Sequence, residues 1–324
     1  MQYLLRKVLF YSFTALVAIT INFFLPRMMA GDPVAMMMGR FQGRMDPRAI
    51  DSLRKTFGFV EGPLHIQYWE YIKSLFRGNL GISISAFPAP VTDLIGYALM
   101  WTIRLLVVSL IISFLLGTIM GTIAAWKRGK VMDSYVLPTL AIVGAFPYFF
   151  IALLMVYFLG LQAGWFPLSL AFDKEIRVDW SNPNFLGSVV QHAILPAFTI
   201  VITSISGWML GMRNNMIGVL SHDYITLAEA KGLSNLRVMY NYAARNAILP
   251  SITGFGMSLG FILGGALVTE VVFSYPGMGS LLLGAVNSRD YPLMQAGFLV
   301  ITFAVLLANF LVDILYVVLD PRVR

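Results

Sequence analysis

Ser221-His222-Asp223-Tyr224-Ile225-Thr226-Leu227-Ala228-Glu229-Ala230-Lys231-Gly232-Leu233-Ser234 is a polar island between two long apolar stretches, and the rest of the chain is arranged around it. Ser221 has the chemistry of a helix N-cap, nothing from there to Lys231 breaks a helix, and Gly232 with Ser234-Asn235 ends one short helix and starts another. The pattern predicts helix, glycine turn, helix. Tyr224, Leu227, Ala228 and Lys231 recur at helical spacing, so the first helix should carry a short apolar stripe with a flat alanine patch and a basic end. A stripe of that shape fits a groove on another molecule. The second helix, Ser234 to Ile248, carries Arg237 and Arg245 and stops at Pro250, where the next apolar stretch begins.

The island stands out because so little else is polar. Of 324 residues, 58% are hydrophobic and only 12% are charged, with a mean hydropathy of +0.76. A soluble domain carries about 25% charged residues, so this composition belongs to an integral membrane protein. The net charge of +7 would suggest nucleic acid as a partner in a soluble chain. Here basic loops facing anionic lipid and an acidic protein partner account for it, and nucleic acid is excluded from the reading. Without cysteine there is no disulfide, thiol nucleophile or zinc–thiolate site.

Val8 to Leu25 is apolar over roughly the ~20 residues that cross a bilayer. Its basic flank reads as cytoplasmic. The rival reading, a signal peptide cleaved near Met28-Met29-Ala30, asks for a shorter apolar core. From Gly31 to Gly96 the chain turns polar, forming an insertion with two amphipathic helices. Asp46-Pro47 opens one with Leu53 and Phe57 on a face, and Pro63 opens another with Ile66, Trp69, Ile72 and Phe76. Further apolar spans cover about Leu99 to Trp126, Tyr135 to Leu161, Val190 to Met212, Ile252 to Val272 and Leu293 to Leu319. The fold class is therefore all-α, with about six transmembrane helices. Lys127, Arg128 and Lys130, then Arg213, Lys231, Arg237 and Arg245, then Arg322 and Arg324 mark one side. Outer loops of similar size hold Lys174, Arg177 and Arg289, so both termini and the polar island are expected inside and the insertion outside. This divides the chain into a first helix (1–30), an extracytoplasmic insertion (31–96) and a membrane core (97–320) bearing a cytoplasmic loop (213–249).

The search for chemistry returns packing instead. There is no Gly-x-x-x-x-Gly-Lys-Ser/Thr, so this chain is not expected to hydrolyse nucleotide. Ser221-His222-Asp223 is consecutive, and neighbouring residues on a helix point apart, so it is no triad. Gly256-Met257-Ser258-Leu259-Gly260 matches a hydrolase elbow only as a string, inside a membrane span where no strand-turn-helix exists. No catalytic, cofactor-binding or metal residues are assigned. Gly256, Gly260 and Gly264, four apart, read instead as a close helix-packing face, and Gly117 with Gly121 and Gly207 with Gly211 repeat it. Arg104, Glu270 and Asp313 are the sparse charges within or at the ends of the spans, too few for the relay of a proton-coupled carrier.

Ala228-Glu229-Ala230, Gly232 and Ile248-Leu249-Pro250 resemble the EAA loop of ABC importer permeases of the dipeptide, oligopeptide and nickel family. Further similarity runs through Gly31-Asp32-Pro33, Arg77-Gly78-Asn79-Leu80-Gly81, Arg245-Asn246-Ala247-Ile248-Leu249-Pro250, Val272-Phe273-Ser274-Tyr275-Pro276-Gly277, Arg289-Asp290-Tyr291-Pro292 and Leu319-Asp320-Pro321-Arg322. The resemblance implies a type I importer fold in the cytoplasmic membrane of a prokaryote. It implies a second homologous permease, two ATP-binding subunits that hold ATP and Mg, and an extracytoplasmic solute-binding protein. It makes Tyr224, Leu227, Ala228, Glu229, Ala230, Lys231, Gly232 and Leu233 a coupling helix, and Phe273, Tyr275, Pro276, Asp290 and Tyr291 a candidate pathway or outer gate. The solute is expected to be an oligopeptide or an oligosaccharide. Gly207 to Met216 resembles the oligosaccharide members, and nickel fits poorly with few histidines and no cysteine. The competing class is a stand-alone secondary transporter or channel.

Overall fold

The computed structural model describes residues 2–28, 62–265 and 267–319. Among these, helices carry all the regular structure apart from one antiparallel bridge, Ile82 to Pro90. In chain order they are α1 (Gln2–Met28), α2 (Leu64–Phe76), α3 (Val91–Trp126), α4 (Met132–Gly144), α5 (Tyr148–Gln162), α6 (Pro183–Leu220), α7 (Asp223–Ala230), α8 (residues 235–247), α9 (Leu249–Gly265), α10 (Leu267–Val272), α11 (Met278–Ser288) and α12 (Tyr291–Leu319). The expected helix after Asp46, the Gly31-Asp32-Pro33 motif, and the tail with Arg322 and Arg324 lie outside the described residues.

Four helices among the described residues are long and apolar enough to cross a membrane: Arg6–Leu25 of α1, α3, α6, and Tyr291–Leu311 of α12. The expected single crossing from Tyr135 to Leu161 is instead broken. α4 and α5 meet at 101°, and count as a fifth span only if taken together. The cause lies at Pro147, which caps α5 in an extended conformation (ψ 141°) and restricts the backbone of Phe146 before it. The expected Ile252 to Val272 span is helical on both sides of residue 266, as α9 and α10. α3 and α6 begin earlier than their apolar cores suggest. Pro90 leads into α3, and Asn182 caps α6 by accepting from Asn184 N at 2.9 Å, with Pro183 in the first turn. At 36 and 38 residues these helices reach about 55 Å, well past a hydrocarbon core of about 30 Å, so their ends stand in the polar layers.

The chain divides into two compact units, one made of Met1–Thr102 and Pro276–Phe310 and the other of Ile103–Tyr275 and Leu311–Arg324. Within the first, Asn22 Nδ2 of α1 donates to Gln295 O of α12 at 2.6 Å, and the Tyr11 and Phe310 rings meet edge to face. Thr102 Oγ1 accepts from Met278 N at 2.8 Å, satisfying a free amide at the start of α11.

Within the second unit, small residues set the distance between helices. A Cβ on Gly117 would come 2.5 Å from Trp208 Cβ and 2.8 Å from Ile205 O, and Gly121 meets the backbone at Met209 in the same way. Gly207 and Gly211 face open space instead. Gly256, Gly260 and Gly264 lie in α9, but what surrounds Gly260 and Gly264 is outside the described side chains. Phe114, Trp208 and Phe255 close the packing above this contact, with ring centroids 4.6 to 6.3 Å apart. Alanine at position 117 would favour an isolated helix by about 1 kcal/mol over glycine. Gly117→Ala is nevertheless expected to lower the thermal unfolding midpoint of the solubilised chain, because the obstructing atoms are largely backbone. Gly207→Ala should leave that midpoint at or above wild type, and equal behaviour of the two variants would refute the packing argument.

Candidate functional site

The polar island forms a short helix with one face sealed into the chain and the other open. α7 starts one residue later than expected: His222 is the N-cap by backbone geometry, while Ser221 closes α6 and donates its hydroxyl to Gly218 O at 2.8 Å. Asp223 stands in the first turn, where its negative charge complements the helix dipole. At the other end Gly232 takes φ +75°, Gly232 N donates to Glu229 O at 2.8 Å and Leu233 N to Ala228 O at 3.3 Å. This paired closure needs a left-handed residue after the helix, which is why glycine stands there.

The predicted stripe divides between two faces. Ala228, placed by the sequence on the outward surface, is buried at 3% exposure and points inward with Ile225. The two enter a core made by Ala125 at the end of α3, Met212 and Met216 of α6, and Val238, Met239, Ala243 and Ala247 of α8. The physical reason is period: Ile225 and Ala228 are one turn apart, so they share a face, and that face is the apolar one available to the core. Tyr224, Leu227 and Lys231, also one turn apart, remain outside, with Tyr224 at 38% and Leu227 at 56% exposure. Glu229, Ala230 and Gly232 are exposed beside them, and Leu233 is half-buried.

Two polar ties hold this platform. Asn246 Nδ2 donates to Tyr224 OH at 3.2 Å and to Tyr242 O at 2.9 Å, fixing the tyrosine from α8, and His222 stacks on the Tyr224 ring at 5.7 Å. Asp133 at the start of α4 accepts from Arg213 Nε of α6 and from Gly129 N at 2.9 Å, so the loop after α3 is fastened to the helix that supports α7. α8 itself is not a plain α-helix. Val238–Ala244 is π-helical between α-turns at Asn235–Arg237 and Arg245–Ala247, and Ser234 opens it by backbone geometry. A rigid push on α7 is therefore transmitted to α3, α4 and α6 through packed methionines and one ion pair.

The candidate gate residues are placed differently from expectation. Phe273, Tyr275, Asp290 and Tyr291 are buried, and only Pro276 is partly exposed, so in this conformation they serve packing and not a solute-facing wall. Phe273 O accepts from Leu170 N at 3.0 Å, tying the end of α10 to the segment after α5. Asp290 is a hydrogen-bond hub. Its Oδ2 accepts from Ser83 Oγ, Ser85 N and Ser85 Oγ, and its Oδ1 from Leu293 N at 3.2 Å. Tyrosine, proline and aspartate in that motif thus close a joint between residues 83–85 and the start of α12.

The strings resembling catalytic sites have ordinary local roles. Ser258 Oγ donates to Gly254 O one turn back at 3.0 Å within α9. His192 is buried near the start of α6, with Nδ1 2.8 Å from Ser188 O. Arg104 lies over the Trp180 ring at 4.0 Å, which shelters its charge as a snorkelling arginine requires. No group of three or more metal-ligating side chains is found among the described residues.

Comparison with known proteins gives this geometry a context. Residues 117–324 match the family described as binding-protein-dependent transport system inner membrane component, and residues 1–120 match its N-terminal counterpart. The chain is 34% identical to the di/tripeptide transport system permease protein of Pseudomonas aeruginosa (strain UCBPP-PA14), covering 94% of this chain and 93% of that one. It is 33% identical to the glutathione transport system permease protein of Salmonella typhimurium, over 100% and 99% of the two chains. It is 32% identical to the oligopeptide transport system permease protein of Bacillus subtilis, over 99% of both. With a family match over most of its length, a platform helix in the position of the EAA loop, and relatives aligned nearly end to end, the chain belongs to the inner membrane components of binding-protein-dependent transport systems, and is a permease subunit.

Proposed function

We propose that this permease subunit moves short peptides into the cell, driven by ATP hydrolysed on two partner subunits that seat on the outward face of α7. The observation that carries the reading is the division of α7. One face is locked into the chain's own core, and Tyr224, Leu227 and Lys231 are left to enter a groove. ATP-driven closure of the partners would move α7 as a rigid body, and its seat would carry that motion into α3, α4 and α6. Transport then proceeds by switching between inward-open and outward-open packings with a second homologous permease, after an external solute-binding protein delivers its load. ATP and Mg reside on the partner subunits. Both termini and α7 lie on the cytoplasmic side in this arrangement, consistent with the basic loops.

The peptide class rests on the relatives, whose names specify di/tripeptide, glutathione and oligopeptide transport. The oligosaccharide reading of Gly207 to Met216 has no comparable support. The test is to purify the membrane complex from its native source. Co-isolation of ATP-binding subunits, with peptide uptake that stops without ATP, is the expected result. Uptake by this chain alone under a proton gradient would overturn the reading. Glu229→Lys, an exposed charge reversal beside the docking face, is expected to reduce uptake per molecule of ATP hydrolysed while the chain still inserts.

A further inference from the structure

α2 presents three chemically distinct faces. One is packed: Tyr68 OH lies 2.8 Å from Thr20 Oγ1, Asn22 Nδ2 donates to Tyr71 OH at 3.2 Å, and both tyrosine rings lie against Phe23, all on α1. On one shoulder of that face Trp69, Ile72 and Phe76 follow at helical spacing, with Trp69 61% and Phe76 90% exposed. The other shoulder holds the Glu70–Lys73 pair at 2.7 Å, and the Lys73 hydrogen bond keeps the Glu70 carboxyl below the usual carboxylate range.

The contacts fix the level of α2 along α1. Thr20, Asn22 and Phe23 lie in the closing turns of the apolar window Arg6–Leu25. Arg27, just beyond it, folds back with its guanidinium 3.6 Å over the Phe23 ring, donating to Phe23 O at 2.7 Å and to Gln67 Oε1 at 3.3 Å. An arginine so placed marks the polar edge of a bilayer span. Gln67 meets Arg27 whereas Tyr71 meets Asn22, so the C-terminal half of α2 leads back toward the apolar window. The α1 surface at this level is itself apolar and open at Val17, Ile21, Phe24 and Leu25. Tryptophan and tyrosine are the residues that settle at such a boundary.

We propose that the Trp69–Ile72–Phe76 shoulder of α2 inserts into the headgroup–acyl boundary of the leaflet at the Leu25 end of α1, with the Glu70–Lys73 shoulder turned to water. α2 is then a lipid anchor in the plane of the interface, built into the segment that leads to α3. It steadies the residues entering the Asp290 joint, and does so without contact to solute or ATPase.

The chain has no native cysteine, so single variants Trp69→Cys, Phe76→Cys and Lys73→Cys can each carry one environment-sensitive fluorophore. The full chain, with its co-purifying subunits, is placed in nanodiscs of phosphatidylethanolamine and phosphatidylglycerol, and the cysteine-free parent supplies the background. Labels at 69 and 76 are expected to be quenched several-fold more by lipid carrying a doxyl group high on the acyl chain than by aqueous iodide, with the reverse at 73. Equal iodide quenching at all three positions overturns the proposal. Shielding of 69 and 76 from both quenchers also overturns it, since a protein would then be the cover. If a labelled variant does not assemble, quenching of Trp69's own emission by brominated lipid, taken as the difference between parent and Trp69→Phe, reads the same contact, and no difference counts against the anchor.

Discussion

Leu227→Asp is expected to abolish ATP-driven uptake while leaving the amount of chain in the membrane close to wild type. Leu227 is more than half exposed and outside the core that holds Ile225 and Ala228, so a carboxylate there costs the isolated subunit little. In a docked complex the same side chain would fill a groove, and truncating or charging such an anchor removes about 2–4 kcal/mol of binding energy. That converts to roughly a 30- to 900-fold loss of affinity for the ATP-binding subunit. The measurement is co-purification of ATPase with membrane-extracted permease, alongside uptake in whole cells. Ala228→Asp is the contrasting variant, because it buries an unpartnered charge and should lower abundance itself. Wild-type uptake and ATPase retention in Leu227→Asp would mean that the outward face of α7 is not a docking surface.

Asp290→Ala is expected to fail earlier, at assembly. The carboxylate is fully buried and accepts hydrogen bonds from two serine hydroxyls and two backbone amides. Removing it strands Ser85 N and Leu293 N without their acceptor, and an orphaned buried donor costs about 1–3 kcal/mol, so the pair costs about 2–6 kcal/mol. For a domain whose net stability is about 5–15 kcal/mol, that is a large share. Membrane abundance and thermal midpoint should both fall sharply. Asp290→Asn keeps the shape and one acceptor oxygen, and should lie between alanine and wild type. If Asp290→Ala is as abundant and stable as wild type but transports poorly, the residue acts on solute and the joint is secondary.

Much of the fold was legible because lipid imposes simple rules. Long apolar runs between basic loops gave α1, α3, α6 and α12, and Pro63 and Gly232 punctuated their helices as their backbone chemistry requires. The docking helix was found, but its inward face was misassigned at Ala228: four residues at helical spacing can divide between two sides, and only the partner core decides which. Ile225, one turn before Ala228, was the signal that could have found it. The bend at Pro147 was hidden by uniform apolarity on both sides, since composition cannot distinguish one straight crossing from two short arms. The Asp133–Arg213 and Asp290–Ser83 ties join residues far apart in the chain, and local pattern carries no information on such pairs. Asp290 and Tyr291 stood out as polar and aromatic near an outer end, a description that suits a gate and a joint equally.

The π-helical turns of Val238–Ala244 place Val238 and Ala243 five residues apart yet both in the interior. A ladder with one surplus residue has a phase as well as a length. Excising a single position there would let the ladder relax to ordinary α spacing and rotate everything after it by about 100°. Asn246 would swing off the Tyr224 hydroxyl, and Ala247 would leave the interior with it. The loop can therefore drift in side-chain identity more freely than in residue number, and an insertion or deletion of one would unseat the motor contact that many point changes would spare.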